Sequence, residues 1–190
     1  MIVQSALIQN IVFFPLVLGI YLSYKILKTT DLTVDGSFVL GGAIYARLLF
    51  EGVSPSVAFL AALLGGFLAG AGVALIQYKD RINALIAGIL ALFMLYSINF
   101  QVMGRPNINL YTLPTIVNDY GEKMVLMVAF LSPMFLLLVL LSPLGLKLRG
   151  IGLNKNLARR IGLPVETLRI LGLGLSNALA SFCGVLSCQI

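Results

Sequence analysis

Two carboxylates, Asp31 and Asp35, stand four residues apart in Thr29-Thr30-Asp31-Leu32-Thr33-Val34-Asp35-Gly36-Ser37. In a helical conformation both would share one face. Acidic groups near a membrane are costly unless paired or hydrated. The functional reading is an element beside a translocation path, shaped by Asp31, Thr33, Asp35 and Ser37. The plainer reading is a cap, with Asp31 or Asp35 accepting N–H bonds from the helix that follows. Ser97 and Asn99, with Gln101, form a second polar group near the end of an apolar segment. They suit either a path or hydrogen bonds between helices. A third stretch, the segment at about 148–166, is basic. Within it Asn154 suits an N-cap, Gly162 a helix stop, and Pro164 follows. The pattern predicts a short helix of about two turns that exposes basic and apolar residues. Such a helix serves either as a positively charged anchor or as a docking knob for a cytoplasmic partner.

The composition also removes chemistry. There is no His, which excludes His-ligated metal sites and His-based proton transfer within this chain. No Gly-rich phosphate loop ends in Lys-Ser or Lys-Thr. No nucleophile–base pair can be assembled. The expectation is therefore a non-enzymatic chain with no cofactor or metal, in which any ATP and Mg would sit on a partner subunit. Cys183 and Cys188 are five apart and fall on different helix faces, so a disulfide between them is not expected.

The elements that must position these residues are apolar. Hydrophobic residues make up 59% of the chain and charged residues 11%, against roughly 25% charged in a soluble domain. The apolar residues come in blocks long enough to cross a bilayer. We read an all-α polytopic transmembrane bundle of about six spans, forming one transmembrane domain over 1–190. The segments are about Ser5 to Leu27, Ser37 to Phe50, Pro55 to Gln77, Ile82 to Phe100, Met124 to Leu146, and Leu168 onward. The second is short, and reads as a helix extended through Asp31 or as a broken or re-entrant one. The first lacks a basic flank and is long enough to span, so it reads as a retained helix. The last runs to Ile190 without a polar flank, from which the sequence is expected to be an N-terminal part of a longer protein.

Lys and Arg in short loops set orientation. Lys25, Lys28, Lys79, Arg81, Lys147, Arg149, Lys155, Arg159, Arg160 and Arg169 all fall in alternate loops, ten of the thirteen basic residues. Arg47, Arg105 and Lys123 fall on the other side. The ten-residue side is expected in the cytoplasm and the N-terminus outside, in a bacterial inner membrane. The excess of basic residues is thereby read as topology, with no nucleic-acid partner. Small residues recur every four positions at Gly172, Ser176, Ala180 and Gly184, and Gly66 and Gly70 repeat the spacing in the third segment. They permit close helix approach in lipid, within one bundle or at a subunit interface.

On these residues the chain resembles the permease subunits of ABC importers, in the branched-chain amino acid and simple-sugar permease superfamily. Within that group it looks like the permeases of a tryptophan/tyrosine-type uptake system. Thr30 to Ser37 is similar to an Asp-Leu-Ser/Thr-Val signature of the family. Leu90 to Asn107, with Leu95-Tyr96-Ser97-Ile98-Asn99 and Met103-Gly104-Arg105-Pro106-Asn107, resembles the narrower group. Gly152, Asn154, Ala158 and Gly162 match its Gly-x-Asn-x-x-x-Ala-x-x-x-Gly cytoplasmic loop, followed by Gly172-Leu173-Gly174-Leu175-Ser176-Asn177. Leu153 and Lys155 depart from it, standing where relatives often carry an acidic residue and Pro.

The resemblance implies that Gly152, Asn154, Lys155, Ala158, Arg159, Arg160 and Gly162 form a coupling helix seated on an ATPase subunit. It implies an importer for a small polar solute, an amino acid or related compound. The working unit would hold a second permease copy, cytoplasmic ATPases and an external solute-binding protein in the lipid bilayer. Two other classes compete. An ion-coupled secondary transporter predicts ionisable residues at mid-membrane, and none of the expected spans has a charge near its centre. A membrane scaffold predicts a cytoplasmic loop that binds a partner other than an ATPase, and a truncated, non-functional permease is a separate alternative.

Overall fold

A computed structural model describes residues 9–78, 82–105, 107–110, 115 and 122–189. Lys79, Arg81, Pro106, most of the segment between Leu110 and Glu122, the side chain of Lys123 and Ile190 lie outside them. The described residues are helical and contain no strand. An all-α bundle follows from apolar sequence in which every backbone polar group must find its partner within the segment.

Helix α1 spans Gln9–Ile26. It comprises an α-helical stretch Phe14–Ile20 and a π-helical stretch Tyr21–Ile26. It is followed by α2 (Thr33–Phe50), α3 (Pro55–Ile76), α4 (Ala84–Met103), α5 (Glu122–Leu141), α6 (Pro143–Leu153), α7 (Lys155–Arg160) and α8 (Val165–Ser187). Pro55 opens α3 at a position where its missing N–H is no loss. Asn83 caps α4 by accepting from Leu85 N at 2.9 Å.

The polytopic all-α bundle is as expected, with four to five candidate spans among the described residues beside the about six read from the sequence. Four described helices are long and apolar enough to cross a membrane: α1, α3, α4 and α8. A fifth is reached if the bent pair α5–α6 is one span. The expected second span is a single unbroken helix of 18 residues that begins at Thr33, four residues before Ser37. Asp35 in its first turn and Arg47 in its last make it more polar than its neighbours. The expected fifth span stops early. Ser142 interrupts it, Pro143 starts α6, and the axis turns by 75°. Proline has no N–H to continue the ladder, so a new helix starts there more readily than the old one continues.

Helix α8 is the centre of the bundle. Within its apolar window 72% of residues are buried, against 28–33% for the other spans. The six small residues lie inside the chain's own packing: Gly172, Ser176, Ala180 and Gly184 on α8, Gly66 and Gly70 on α3 are all buried. A Cβ on Gly184 would collide with the Phe38 carbonyl, so α2 and α8 touch backbone to backbone there. Ser176 Oγ donates to the Gly19 carbonyl at 2.7 Å, and Ser181 Oγ to the Ala62 carbonyl at 2.6 Å. These contacts clamp α1 and α3 to α8 by dispersion and interhelical hydrogen bonds, the forces available in lipid. Cys183 and Cys188 are free thiols.

The two ends of the bundle differ. Lys28, Lys155 and Arg169 surround one recess, and Arg169 Nη1 donates to the Gln77 carbonyl at 3.3 Å, at the close of α3. At the opposite end Arg47 pairs with Glu51 at 2.7 Å, and Arg105 lies 4.3 Å over the Phe50 ring.

Candidate functional site

The Asp31–Ser37 stretch forms a polar junction, with its main partner on α8. Asn177 Nδ2 donates to Asp31 Oδ2 at 2.7 Å and to the Leu173 carbonyl at 3.0 Å. Asn177 Oδ1 accepts from Ser37 Oγ at 2.7 Å and from Thr33 Oγ1 at 3.3 Å. The other Asp31 oxygen accepts from Thr33 N at 3.0 Å and also from Thr33 Oγ1. Asp31 is therefore a cap as well as an interhelical partner. Asp35 does not share its site: α2 starts after Asp31, and Asp35 is exposed on the first turn. Thr33, Ser37 and Asn177 are fully buried. The carboxylate is held by donors from two helices, the condition for keeping a charge next to lipid.

Ser97 and Asn99 part company. Ser97 is exposed, its hydroxyl 3.5 Å from the Phe93 carbonyl of its own helix. Asn99 is buried, with Nδ2 donating to the Gly36 carbonyl at 3.1 Å. It fastens α4 to the turn of α2 that also carries Ser37.

The basic segment forms two helices rather than one. α6 runs to Leu153, and Asn154, in an extended conformation, accepts from Leu157 N at 3.0 Å and caps α7. Gly162, at φ +79°, ends it in the left-handed region that suits glycine. Ala158 is buried and anchors α7 to the bundle. Arg159 pairs with Glu166 at 2.7 Å across the turn into α8, and Arg160 is exposed. Gly152 presses against the Ile26 carbonyl with no room for a Cβ, locking this segment to the end of α1. Leu153, Leu157 and Ile161 recur every four residues and are 78%, 55% and 67% exposed. Leu157 lies on α7, Ile161 at its C-terminal cap, and Leu153 at the end of α6, so exposed apolar side chains flank and occupy this short capped helix at the basic end.

A family model described as branched-chain amino acid transport system / permease component matches residues 2–190. The chain belongs to this permease family. A "Tyrosine transport system permease protein" of Clostridioides difficile (strain R20291) is 37% identical over 97% of the chain and 63% of its own length. An uncharacterized protein of Rickettsia prowazekii (strain Madrid E) is 44% identical over the whole chain and 68% of its own length. The chain thus spans about two thirds of these relatives. No solved structure matches it. It is an ABC-type permease chain and a multi-pass membrane protein.

Asn177 is the residue of this permease to which sequence reasoning, though it reached the run Gly172 to Asn177, gave no role. Its signal was present: a single amide in an otherwise apolar or small-residue segment, Leu171 to Val185, is a candidate interhelical donor. Which residues it would meet is a matter of tertiary packing over 146 positions.

Proposed function

We propose that this permease is the membrane half of an ATP-driven importer for a small polar solute, an amino acid or a related compound. It works in the bacterial inner membrane as a homodimer, with its N-terminus outside. Two copies of a cytoplasmic ATPase supply the energy, and an external solute-binding protein delivers the solute. The name of the Clostridioides difficile relative supports the solute class.

The observation that carries the reading is the exposed apolar set of Leu157 on α7, Ile161 at its C-terminal cap and Leu153 at the end of α6. Apolar side chains presented to water at a charged end of a membrane protein mark a contact surface. Ala158 holds α7 from beneath and Asn154 caps its start, while Leu157 and Ile161 are exposed. Gly152 ties it to α1, and Glu166, paired to Arg159, ties it to α8. A pull on α7 therefore reaches two spans.

The test is co-purification of the full-length permease with its cognate ATPase in detergent, for wild type and for Leu157→Glu with Ile161→Glu. Both positions are exposed, so the variant should fold. Loss of the ATPase from a folded variant supports the assignment. Undiminished capture by the variant sinks it.

A further inference from the structure

The end of α1 has an unusual backbone. Tyr21–Ile26 is π-helical, a widened turn that recurs at functional sites. Leu27 N bonds the Leu22 carbonyl at 3.1 Å, and Thr29 N reaches back to the Ser23 carbonyl at 3.0 Å. Between them Lys28 stands at φ +51°, the one non-glycine residue with positive φ among the described residues. A lysine gains nothing locally from that conformation, and such outliers persist where the surroundings impose them. Gly152 closes on the Ile26 carbonyl from the other side.

These features bring three distant segments around one recess of about 160 Å³. Leu27, Lys28, Thr29, Ile151, Gly152, Lys155 and Arg169 line it. Three of the seven are cationic and none is acidic. Arg169 also donates to the Gln77 carbonyl, and both Arg169 and Lys155 make further polar contacts. Lys28 lies two residues beyond Ile26, the last residue of the first span. Tyr21 and Tyr24, on the same segment, are 45% and 66% exposed, as amphipathic rings at headgroup depth are.

We propose that this recess binds the phosphate of an anionic phospholipid headgroup. Basic pockets between helices at a membrane surface take such groups, and the ion–phosphate hydrogen bonds are among the stronger ones. A phosphate held by Lys28 and Lys155 fastens the end of α1 to the start of α7. The inference needs only a membrane-spanning chain, so it stands or falls apart from the importer assignment.

The test titrates the full-length permease, in neutral detergent, with phosphatidylglycerol, with phosphatidylcholine and with inorganic phosphate. Binding is followed by native mass spectrometry and by the melting temperature. Lys28→Gly removes the charge while suiting the positive φ, so it should not unfold the protein. Lys155→Gln is the second variant. Phosphatidylglycerol should bind in preference to phosphatidylcholine and raise the melting temperature. Each variant should weaken it roughly 5-fold, from about 1 kcal/mol per basic residue at the membrane surface. Equal phosphatidylglycerol binding by wild type and variants would place the lipid elsewhere and overturn the site. The same stabilisation by inorganic phosphate would overturn the lipid as its source.

Discussion

Asn177 uses both ends of one amide. Its NH2 group serves the Asp31 carboxylate and the Leu173 carbonyl, and its oxygen serves two hydroxyls. Removing it strips Asp31 of one donor and leaves Ser37 Oγ without its acceptor on α8. A hydrogen bond to a charged group contributes about 1.5–3 kcal/mol in water-soluble proteins, whereas interhelical bonds in membranes average about 0.6 kcal/mol. Asp31 is only part-buried and keeps Thr33, so the lower figure should weigh more. We expect Asn177→Ala and Asp31→Ala to be coupled by about 1 kcal/mol in a double-mutant cycle, read from unfolding in detergent. Strict additivity would mean that the contact contributes nothing. The Asp31–Ser37 cluster was legible in the sequence, because polar residues stand out against an apolar background. Its role as a helix–helix junction was not. Burial of Thr33 and Ser37 depends on α8 passing over them, which no local pattern encodes.

Helix α7 is short enough that its cap matters. Six residues cannot hold a helix by propensity alone. Asn154→Ala should cost about 1 kcal/mol and speed amide exchange at Leu157 and its neighbours, read by hydrogen–deuterium exchange. An unchanged exchange rate would show that Ala158 packing alone sustains the turn. This element was legible, since Asn, Gly and Pro have local conformational meanings. The bend at Ser142 was not: the apolar run from Met124 continues to Leu146 and hides it. The Ser-Pro pair was the available signal.

The small-residue positions make a second test at this scale. Gly184→Ala puts a methyl into the Phe38 carbonyl, whereas Gly72 faces open space on α3. Overpacking typically costs about 1–3 kcal/mol, and a helical Gly→Ala with room gains roughly 0.5–1 kcal/mol. The two variants should shift the melting temperature in opposite directions. A matching shift would mean that α2 and α8 can part without cost.

Taken as one body, the chain separates its charges by end, and that separation argues for one orientation. Lys28, Lys155 and Arg169 meet around one recess although 127 to 141 positions of chain lie between Lys28 and the other two. Arg47 and Arg105 sit at the far end beside Glu51 and Phe50. Basic loops resist translocation, so the larger group should stay in the cytoplasm. The number of spans does not disturb this, because the directions of α1, α2 and α3 are fixed by their contacts with α8. Val12 and Gly19 of α1 meet Cys183 and Ser176, so α1 runs antiparallel to α8. Gly70 and Gly66 of α3 meet Leu173 and Asn177, so α3 does as well. Ser37 and Gly41 of α2 lie beside Asn177 and Ser181, which sets α2 parallel to α8. Cys183 is buried, and Cys188 partly so, which lets an introduced thiol report position once both are replaced by Ala. Arg160→Cys, at the end of α7, and Gly52→Cys, on the turn after α2, lie at opposite ends and are exposed. In intact spheroplasts a membrane-impermeant maleimide should label Gly52→Cys at once and Arg160→Cys only after permeabilisation. The reverse pattern would put α7 outside, where no ATPase could reach it.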